Sequence, residues 1–320
     1  MWLSPSSFLM IISIVTSMCF VISSPSLFIS WIGLELNTLA FLPLLLSKKS
    51  KLASEASIKY FLTQTLASVL ILVGGLWFLT LVSGLGTMAL LLGLSIKLGA
   101  APFHSWVLSI AETSGWVPLF TLLTIQKINP LMVLWMFCHL SMAFFYMVVL
   151  SSLIMGGLAG LTQTSIRSIL TFSSINHVGW LMTALSFSFG VGVYYFFIYL
   201  LTLLCSIMIF HMFNVSHINQ LSLLSFKPSS QMLLFFALLS LGGLPPFLGF
   251  LPKWMILQLT VSYSLFLVSG VMICMSLVVL FFYLRLMFSS FMMGGVNLTT
   301  LNNDPLPLPL YFIAFFSISG

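Results

Sequence analysis

Apolar residues dominate the chain in long runs, separated by short links that are polar or contain glycine and proline. A run of about 20 apolar residues is long enough to cross the hydrocarbon core of a bilayer as an α-helix. The runs lack the strict alternation of apolar and polar positions that is typical of outer-membrane barrel strands. The pattern therefore predicts an all-α polytopic membrane protein with about 11 transmembrane helices. The predicted spans are 4–24, 26–46, 58–82, 87–105, 116–138, 140–162, 168–188, 191–215, 231–262 (interrupted), 263–288 and 306–320.

The composition supports this class and excludes several others. Only 4% of the residues are charged and 60% are hydrophobic, whereas soluble domains are roughly one quarter charged. The net charge of +6 does not indicate nucleic-acid binding, because no basic patch is larger than Lys48, Lys49 and Lys51. The four cysteines are isolated from one another, so we predict neither a metal site nor a disulfide framework. No cleavable leader is predicted, since no charged residue precedes the first apolar run.

Basic residues in the links or at the ends of the predicted spans all fall on one side of the membrane when successive spans alternate in direction. The N-terminus lies on the same side, and the opposite links carry no basic residue. The positive-inside rule identifies this side as the cytoplasm or, for a protein made inside an organelle, the matrix. The residues concerned are Lys48, Lys49, Lys51, Lys59, Arg167, Lys227 and Arg285, with the acidic Glu55, Glu112 and Asp304.

Apart from the residues at span ends named above, four charged residues lie inside the predicted spans, namely Glu35, Lys97, Lys127 and Lys253. A lysine at the centre of a transmembrane helix costs about 2.5–3.5 kcal/mol on insertion scales, so such a residue is a functional candidate. Glu35 can pair with only one lysine at a time, which leaves the three lysines in unequal environments. Unequal lysines suit a stepwise proton relay. The alternative is one salt bridge, with the other two lysines extending to the membrane interface.

Glycine and proline interrupt two of the predicted spans close to a lysine, in SIKLGAAPFHSW and in LGGLPPFLGFLPKW. Proline frees the carbonyl four residues before it. Freed carbonyls at membrane depth are tolerated only against protein or a wet cavity, and paired interrupted spans are typical of inverted-repeat transporters. An ordinary proline kink is the alternative for each span. The prolines are Pro102, Pro245, Pro246 and Pro252, together with Pro130 close to Lys127. The freed carbonyls are those of Leu98, Leu241, Gly242 and Leu248.

Two histidines are further candidates for proton transfer, because an imidazole titrates near neutral pH. His177 lies inside a span beside Ser173 and Ser174, and His104 adjoins the first interruption. Two polar stripes at helical spacing favour either a polar path or ordinary hydrogen bonds between helices. They consist of Tyr60, Gln64 and Ser68, and of Tyr195, Tyr199, Thr202 and Ser206.

Several motifs resemble subunit 2 of the NADH dehydrogenases of animal mitochondria. They are WIGLELNTLAFLPLL, EASIKYFLTQTLAS, KLGAAPFHSW, IQKINPL, GLTQTSIRSILTFSSINHVGW and LGGLPPFLGFLPKW, in order between about residues 31 and 290. The resemblance implies an antiporter-like subunit in the membrane arm of respiratory complex I. It also implies antiporter-like inverted repeats with two discontinuous helices.

The resemblance further implies a single transmembrane domain over residues 1–320. Residues 1–24 and 26–46 would form leading helices, about 26–215 a first repeat and about 231–320 a second repeat region. Glu35 would be the acidic partner of Lys97, Lys127 the central relay and Lys253 the terminal lysine. The chain itself would bind no cofactor, because it has no flavin, haem or iron–sulfur motif. NADH, FMN, iron–sulfur clusters and ubiquinone would bind to partner subunits, which include sibling antiporter-like subunits. Membrane lipids are expected as partners and nucleic acid is not.

The expected location is the mitochondrial inner membrane, with the N-terminus on the matrix side. Two other functions remain open from the residues alone. One is a stand-alone or multi-subunit cation/proton antiporter, which would share the fold and the proline-interrupted motifs. The other is a purely structural membrane-arm subunit whose lysines affect only stability.

Overall fold

A computed structural model of the protein describes residues 5–46, 50–79, 83–139, 141–223 and 228–291. Within these ranges every regular element is an α-helix, and one isolated β-bridge joins Ser165 to His217. The predicted all-helical character is therefore confirmed. Predicted features outside the described residues are Lys48, Lys49, Lys227, Asp304 and the span 306–320.

The helices divide between two compact units, Met1–Ser152 and Leu153–Gly320, with the boundary inside one helix. The predicted repeat limits near residues 215 and 231 stay predictions. The first unit contains α1 (Pro5–Ser23), α2 (Leu27–Leu45), α3 (Lys51–Leu79), α4 (Ser83–Leu98), α5 (Ser105–Thr113), α6 (Trp116–Leu123) and α7 (Ile125–Phe137). It also contains the first part of α8 (Met142–Leu161). The second unit contains the remainder of α8 with α9 (Ile166–Phe187), α10 (Phe189–Phe213), α11 (Ile218–Leu223), α12 (Pro228–Gly242), α13 (Phe250–Ser262) and α14 (Phe266–Phe291).

Six helical segments in the described ranges are long and apolar enough to cross a membrane, as judged from length and composition. Three further apolar helices are shorter. The six are Leu27–Leu45, Lys51–Phe78, Trp116–Phe137, Met142–Leu161, Phe189–Phe213 and Phe266–Phe291, and the shorter three are Phe8–Ser23, Gly84–Leu98 and Ser230–Gly242.

Helix α9 is missing from the apolar set, and its burial explains why. Of its 22 residues, only Arg167 and Phe187 are not buried within the second unit. A helix that is enclosed by protein on all sides does not have to present apolar side chains to lipid. Its serine, threonine, asparagine and histidine side chains can therefore be tolerated where they hydrogen-bond inside the unit.

Three local differences separate the structure from the predicted spans. The short helices α5 and α11 were not predicted as elements, because each is shorter than a span. Helix α3 begins at Lys51 rather than at residue 58, and an exposed ion pair of 2.6 Å between Lys59 and Glu55 supports its first turns. Such exposed pairs one helical turn apart contribute little to stability, because water and salt screen them.

The two predicted interruptions lie at residues 99–104, called here the first interruption, and 243–249, the second. The helix before each one ends in the same way. Gly99 has φ +66° and Gly243 has φ +76°, a left-handed conformation that only glycine adopts at low cost. The amide of the residue after each glycine bonds five residues back, to Ser95 and Leu239 respectively. This hydrogen-bond pattern is the Schellman motif.

The span that contains Lys127 is interrupted at Thr124, six residues before the proline that was predicted to weaken it. The Thr124 hydroxyl bonds the Phe120 carbonyl at 2.6 Å, a local bond that competes with the helical ladder. The Lys127 amide then bonds the Thr124 carbonyl, three residues back instead of four. Pro130 lies within α7 itself. The turn that carries Lys127 is thus irregular at Thr124, while the weakening of the helix by Pro130 stays a prediction.

Candidate functional site

The structure buries all three intramembrane lysines. The exposed fractions of Lys97, Lys127 and Lys253 are 5%, 4% and 6%, while Glu35 is half-buried. Each lysine lies within a few residues of a helix end: Lys97 in the last turn of α4, Lys127 in the first turn of α7, and Lys253 in the first turn of α13. Backbone groups without helical partners therefore lie near every one of them.

A buried chain of hydrogen bonds connects three helices of the first unit. The Tyr60 hydroxyl of α3 donates to Oε1 of Gln126 on α7 at 3.1 Å. Nε2 of Gln126 in turn donates to Oδ1 of Asn37 on α2, also at 3.1 Å. Both polar ends of the Gln126 amide are thus used, directly beside Lys127. A second buried bond, from Asn129 Nδ2 to Ser17 Oγ at 3.1 Å, joins α7 to α1.

These side chains border a small cavity in the first unit, with an empty volume of about 230 Å³ including its opening. Its interior has room for about one water molecule. Polar and apolar groups contribute about equally to the lining, and the polar ones can hydrogen-bond such a water molecule. The lining residues are Leu34, Asn37, Thr38, Tyr60, Gln64, Lys97, Trp106, Gln126 and Pro130.

Glu35 and Lys97 interact electrostatically but do not form a direct pair. No hydrogen bond and no ion pair within 4.0 Å joins them in the described part of the chain. Oε2 of Glu35 instead accepts a hydrogen bond from the Thr38 hydroxyl at 3.0 Å. The Lys97 ammonium has no hydrogen-bond partner among the described residues. A cation in this position can move or take up a water contact without breaking a protein hydrogen bond.

Neutral side chains bond the carbonyls around the first interruption. Trp106 Nε1, on α5, donates to the Ile96 carbonyl at 3.1 Å. Ser151 Oγ, on α8, donates to the Ala101 carbonyl at 2.7 Å. Side chains of α5 and α8 therefore supply hydrogen bonds to these carbonyls, as a buried backbone requires.

At the second interruption the lysine itself makes the corresponding bond. Nζ of Lys253 donates to the Gly242 carbonyl at 2.8 Å. The Gly242 carbonyl is one that proline was predicted to free. The same ammonium lies 5.7 Å from the centroid of the Trp180 ring. This geometry stabilises a positive charge at the carboxyl-terminal end of α12, where the helix dipole also favours it.

His177 lies in a buried aromatic cluster of the second unit. Its Nδ1 is 2.8 Å from the Tyr195 hydroxyl, and its ring centroid is 4.8 Å from that of Tyr199. A cavity with an empty volume of about 200 Å³ borders the cluster. Its lining includes Thr202, from the predicted polar stripe, together with Ser240 and Pro252. The stripe on α10 is thus buried inside the protein and borders this cavity.

Other predicted residues lie at the edges of these clusters. His104 is half-buried at the amino-terminal boundary of α5, and Pro102, Pro245 and Pro246 are exposed in the isolated chain. Pro130 and Pro252 border the first and second cavities. No group of three or more histidine, cysteine, aspartate or glutamate residues in the described ranges could hold a metal ion.

Sequence reasoning missed four residues that the structure places at these sites: Asn37, Gln126, Ser151 and Trp180. The signal available for Asn37 and Gln126 was their position two residues after Glu35 and one before Lys127. Ser151 and Trp180 gave no signal, because a serine or a tryptophan in an apolar helix is ordinary. Chemically, the two clusters can hold, donate and accept protons, and they can bind small numbers of water molecules.

Known proteins resemble this chain in sequence over most of its length. Residues 24–280 match the family model described as "NADH:quinone oxidoreductase/Mrp antiporter, TM". NADH-ubiquinone oxidoreductase chain 2 of Anopheles gambiae is 40% identical over 315 residues, covering 93% of this chain and 91% of its own length. The same chain of Mus musculus is 38% identical over 282 residues, covering 84% and 81%. These matches confirm the resemblance that the motifs indicated.

Two solved structures share the fold. A chain of respiratory complex I from Thermus thermophilus superposes with a TM-score of 0.86 at 23% identity, covering 98% of this chain and 77% of that one. A chain of the Mrp complex from Dietzia superposes with a TM-score of 0.80 at 17% identity, covering 88% and 60%. At these identities the likeness extends to the fold alone. Together with the apolar helices, the matches identify a multi-pass membrane protein with an antiporter-like fold.

Proposed function

This chain belongs to the NADH-ubiquinone oxidoreductase chain 2 family, and we propose that it is a membrane-arm subunit of the proton-translocating NADH:ubiquinone oxidoreductase, respiratory complex I. In this role the chain supplies part of the enzyme's proton path and none of its redox centres. NADH, FMN, iron–sulfur clusters and ubiquinone bind to partner subunits, and sibling antiporter-like subunits and lipids surround the chain.

The burial of three lysines, each near a helix end, is the observation that carries this proposal. A chain that served only as a membrane anchor would gain nothing from three desolvated cations, which are costly at membrane depth. Helix interruptions expose backbone carbonyls and leave room for water, and both are needed to move a proton between side chains.

Within the first unit, Glu35, Lys97 and Lys127 form the proposed relay. The negative charge of Glu35 favours the charged form of Lys97 through space. It does not fix the position of the ammonium, because the two groups form no direct ion pair. Gln126 and Tyr60 hold α7 and α3 together beside Lys127. A water molecule in the first cavity would connect the polar lining to the Lys97 ammonium.

Within the second unit, Lys253 and His177 are the proposed proton carriers. Lys253 alternates between a charged form on the Gly242 carbonyl and a neutral form. His177 exchanges protons with groups of the second cavity through its imidazole. His104 is a further candidate, at the edge of the first interruption.

The finer architecture is part of the same proposal. The chain crosses the mitochondrial inner membrane about 11 times, two of its transmembrane helices are discontinuous, and its N-terminus faces the matrix. The animal relatives support the location, and the one-sided distribution of basic links supports the orientation.

The fold shared with a chain of the Mrp complex favours one second candidate, a cation/proton antiporter. Purification of the tagged native chain in mild detergent separates the two functions. We expect NADH:ubiquinone reductase activity and the redox subunits to co-purify with the chain in constant proportion. Recovery of the chain with other antiporter-like chains, and without any redox subunit, would establish the antiporter function instead.

A further inference from the structure

The second unit contains a series of contacts that leads from Lys253 to His177. Starting from the lysine, the ammonium faces the Trp180 ring at 5.7 Å. The Trp180 ring is nearly parallel to that of Tyr195, with 8° between the planes and 6.3 Å between the centroids. The Tyr195 hydroxyl then lies 2.8 Å from Nδ1 of His177.

We propose that Trp180 and Tyr195 are positioning residues, which together hold the Lys253 ammonium and the His177 imidazole in place at the two ends of one aromatic pair. The inference rests on the proposed function, since it assigns roles relative to the two proton carriers of the second unit. Neither aromatic residue exchanges a proton in this scheme.

The contribution of Trp180 is made through the face of its ring. The side chain is 1% exposed, and its indole nitrogen makes no hydrogen bond to the described residues. The ring therefore acts through its packing and through its attraction to a cation, and this attraction is strongest when the pair is desolvated. That attraction acts on the charged form of Lys253 and vanishes when the lysine is neutral.

The contribution of Tyr195 is made through its hydroxyl, which can donate or accept a hydrogen bond. Its oxygen accepts a hydrogen bond from the Nδ1–H of His177 in both the neutral and the charged imidazole, so that Nε2 is the nitrogen that takes up and releases the proton. The contact at 2.8 Å can thus persist while His177 changes its protonation state. The imidazole keeps its position during proton transfer, as a relay group requires.

Gly243 also restricts the position of Lys253. A Cβ atom added at Gly243 would lie 2.9 Å from both Cδ and Nζ of Lys253. The lysine side chain is therefore confined by the backbone of the second interruption and by the ring of Trp180. Loss of either boundary should displace the ammonium from the Gly242 carbonyl.

The test compares Trp180→Leu with Trp180→Phe in the complete assembled complex. Trp180→Phe keeps an aromatic face and deletes no hydrogen bond, whereas Trp180→Leu removes the face. We expect Trp180→Leu to lower proton translocation per NADH oxidised, because the attraction of the ring for the ammonium is lost, and Trp180→Phe to restore most of it. A structure of the Trp180→Leu complex should show the Lys253 ammonium away from the Gly242 carbonyl. Trp254→Leu, an exposed neighbour of Lys253, is the matched control and should pump normally.

Equal pumping by the leucine and phenylalanine variants, or an unmoved ammonium in the leucine variant, would overturn the role of Trp180. Tyr195→Phe deletes a single oxygen atom and tests the pair even where Trp180→Leu fails to assemble. We expect it to shift the His177 ring while the bond from Lys253 to Gly242 is kept. An unmoved ring would overturn the role of Tyr195. Failure of the proposed function has a different signature: a Lys253→Met complex would pump normally, whatever the side-chain positions in the other variants.

Discussion

The ammonium nitrogen of Lys253 lies 2.8 Å from the carbonyl oxygen of Gly242, across the second interruption. The buried ammonium and the buried carbonyl, neither of which has a helical hydrogen-bond partner, thereby bond to each other. The first interruption is arranged differently, because Trp106 and Ser151 bond its carbonyls and the Lys97 ammonium has no hydrogen-bond partner among the described residues. The two interruptions share the same backbone conformation at their glycines, and they differ in which side chains donate hydrogen bonds to their carbonyls.

Gly243→Ala should disturb the second interruption directly. The residue has φ +76°, and the new Cβ would meet both Cδ and Nζ of Lys253. Strain at such a position costs about 1–3 kcal/mol, so we expect a lower thermal midpoint for the assembled complex and weaker pumping. Gly270→Ala on α14 is the control, since a Cβ there meets nothing within 4 Å. A Gly243→Ala complex as stable and active as the control would show that this glycine is dispensable.

Ser151→Ala should destabilise the first interruption, whereas Ser152→Ala should not. Ser151 donates to the Ala101 carbonyl, which lies 50 residues away in the chain, and loss of a donor to a buried carbonyl costs about 1–3 kcal/mol. Ser152 is fully buried, whereas Ser151 is half-buried, yet Ser152 bonds only within its own helix, to the Val149 carbonyl. Thermal inactivation of the two variant complexes measures the difference. Equal midpoints would contradict the proposed support of the interruption by Ser151.

Gln126→Leu should be far more harmful than Gln64→Leu, although both residues border the first cavity. Replacement of Gln126 leaves the buried Tyr60 hydroxyl and the Asn37 amide oxygen without their partner, at about 1–3 kcal/mol for each group. We expect reduced amounts of the assembled complex for Gln126→Leu and near-normal amounts for Gln64→Leu. Quantitative native gels would measure both. A reversed order would show that the hydrogen-bond chain is not what holds these helices together.

Arg285→Lys should weaken the second unit without changing its charge. Nη1 and Nη2 of Arg285 donate to the carbonyls of Leu161 and Gln163, each at 2.7 Å. A lysine cannot reproduce this fork geometry, and a hydrogen bond from a charged donor contributes about 1.5–3 kcal/mol. We expect a lower midpoint of thermal inactivation for Arg285→Lys and a lower one still for Arg285→Met. An Arg285→Lys complex as heat-stable as wild type would rule out a role for the paired bonds.

Much of the architecture followed from sequence because hydropathy and proline positions are local signals. The apolar runs marked the long helices, and Gly99 and Gly243 lie where the sequence placed the interruptions. The interruption at Thr124 before Lys127 was not predicted, because a threonine hydroxyl bonded to its own helix is not visible as a pattern.

The partners at the site were much harder to predict. The bonds of Ser151 to Ala101 and of Tyr60 to Gln126 join residues 50 and 66 positions apart, which depends on how the helices pack. The contact between the ring face of Trp180 and the Lys253 ammonium also depends on how the helices pack. A single sequence identifies the costly residues, while the groups that compensate for them emerge only from the packed structure.

Proton translocation by a complex that carries Lys127→Met tests the central claim most directly. Methionine keeps the approximate length of the side chain and removes its ability to carry a proton. The measurement is the number of protons translocated per NADH oxidised in reconstituted vesicles, with NADH oxidation and assembly measured in parallel. We predict an assembled complex in which proton translocation per NADH falls well below that of wild type. An assembled complex that oxidises NADH fully and pumps with an undiminished ratio would contradict the relay.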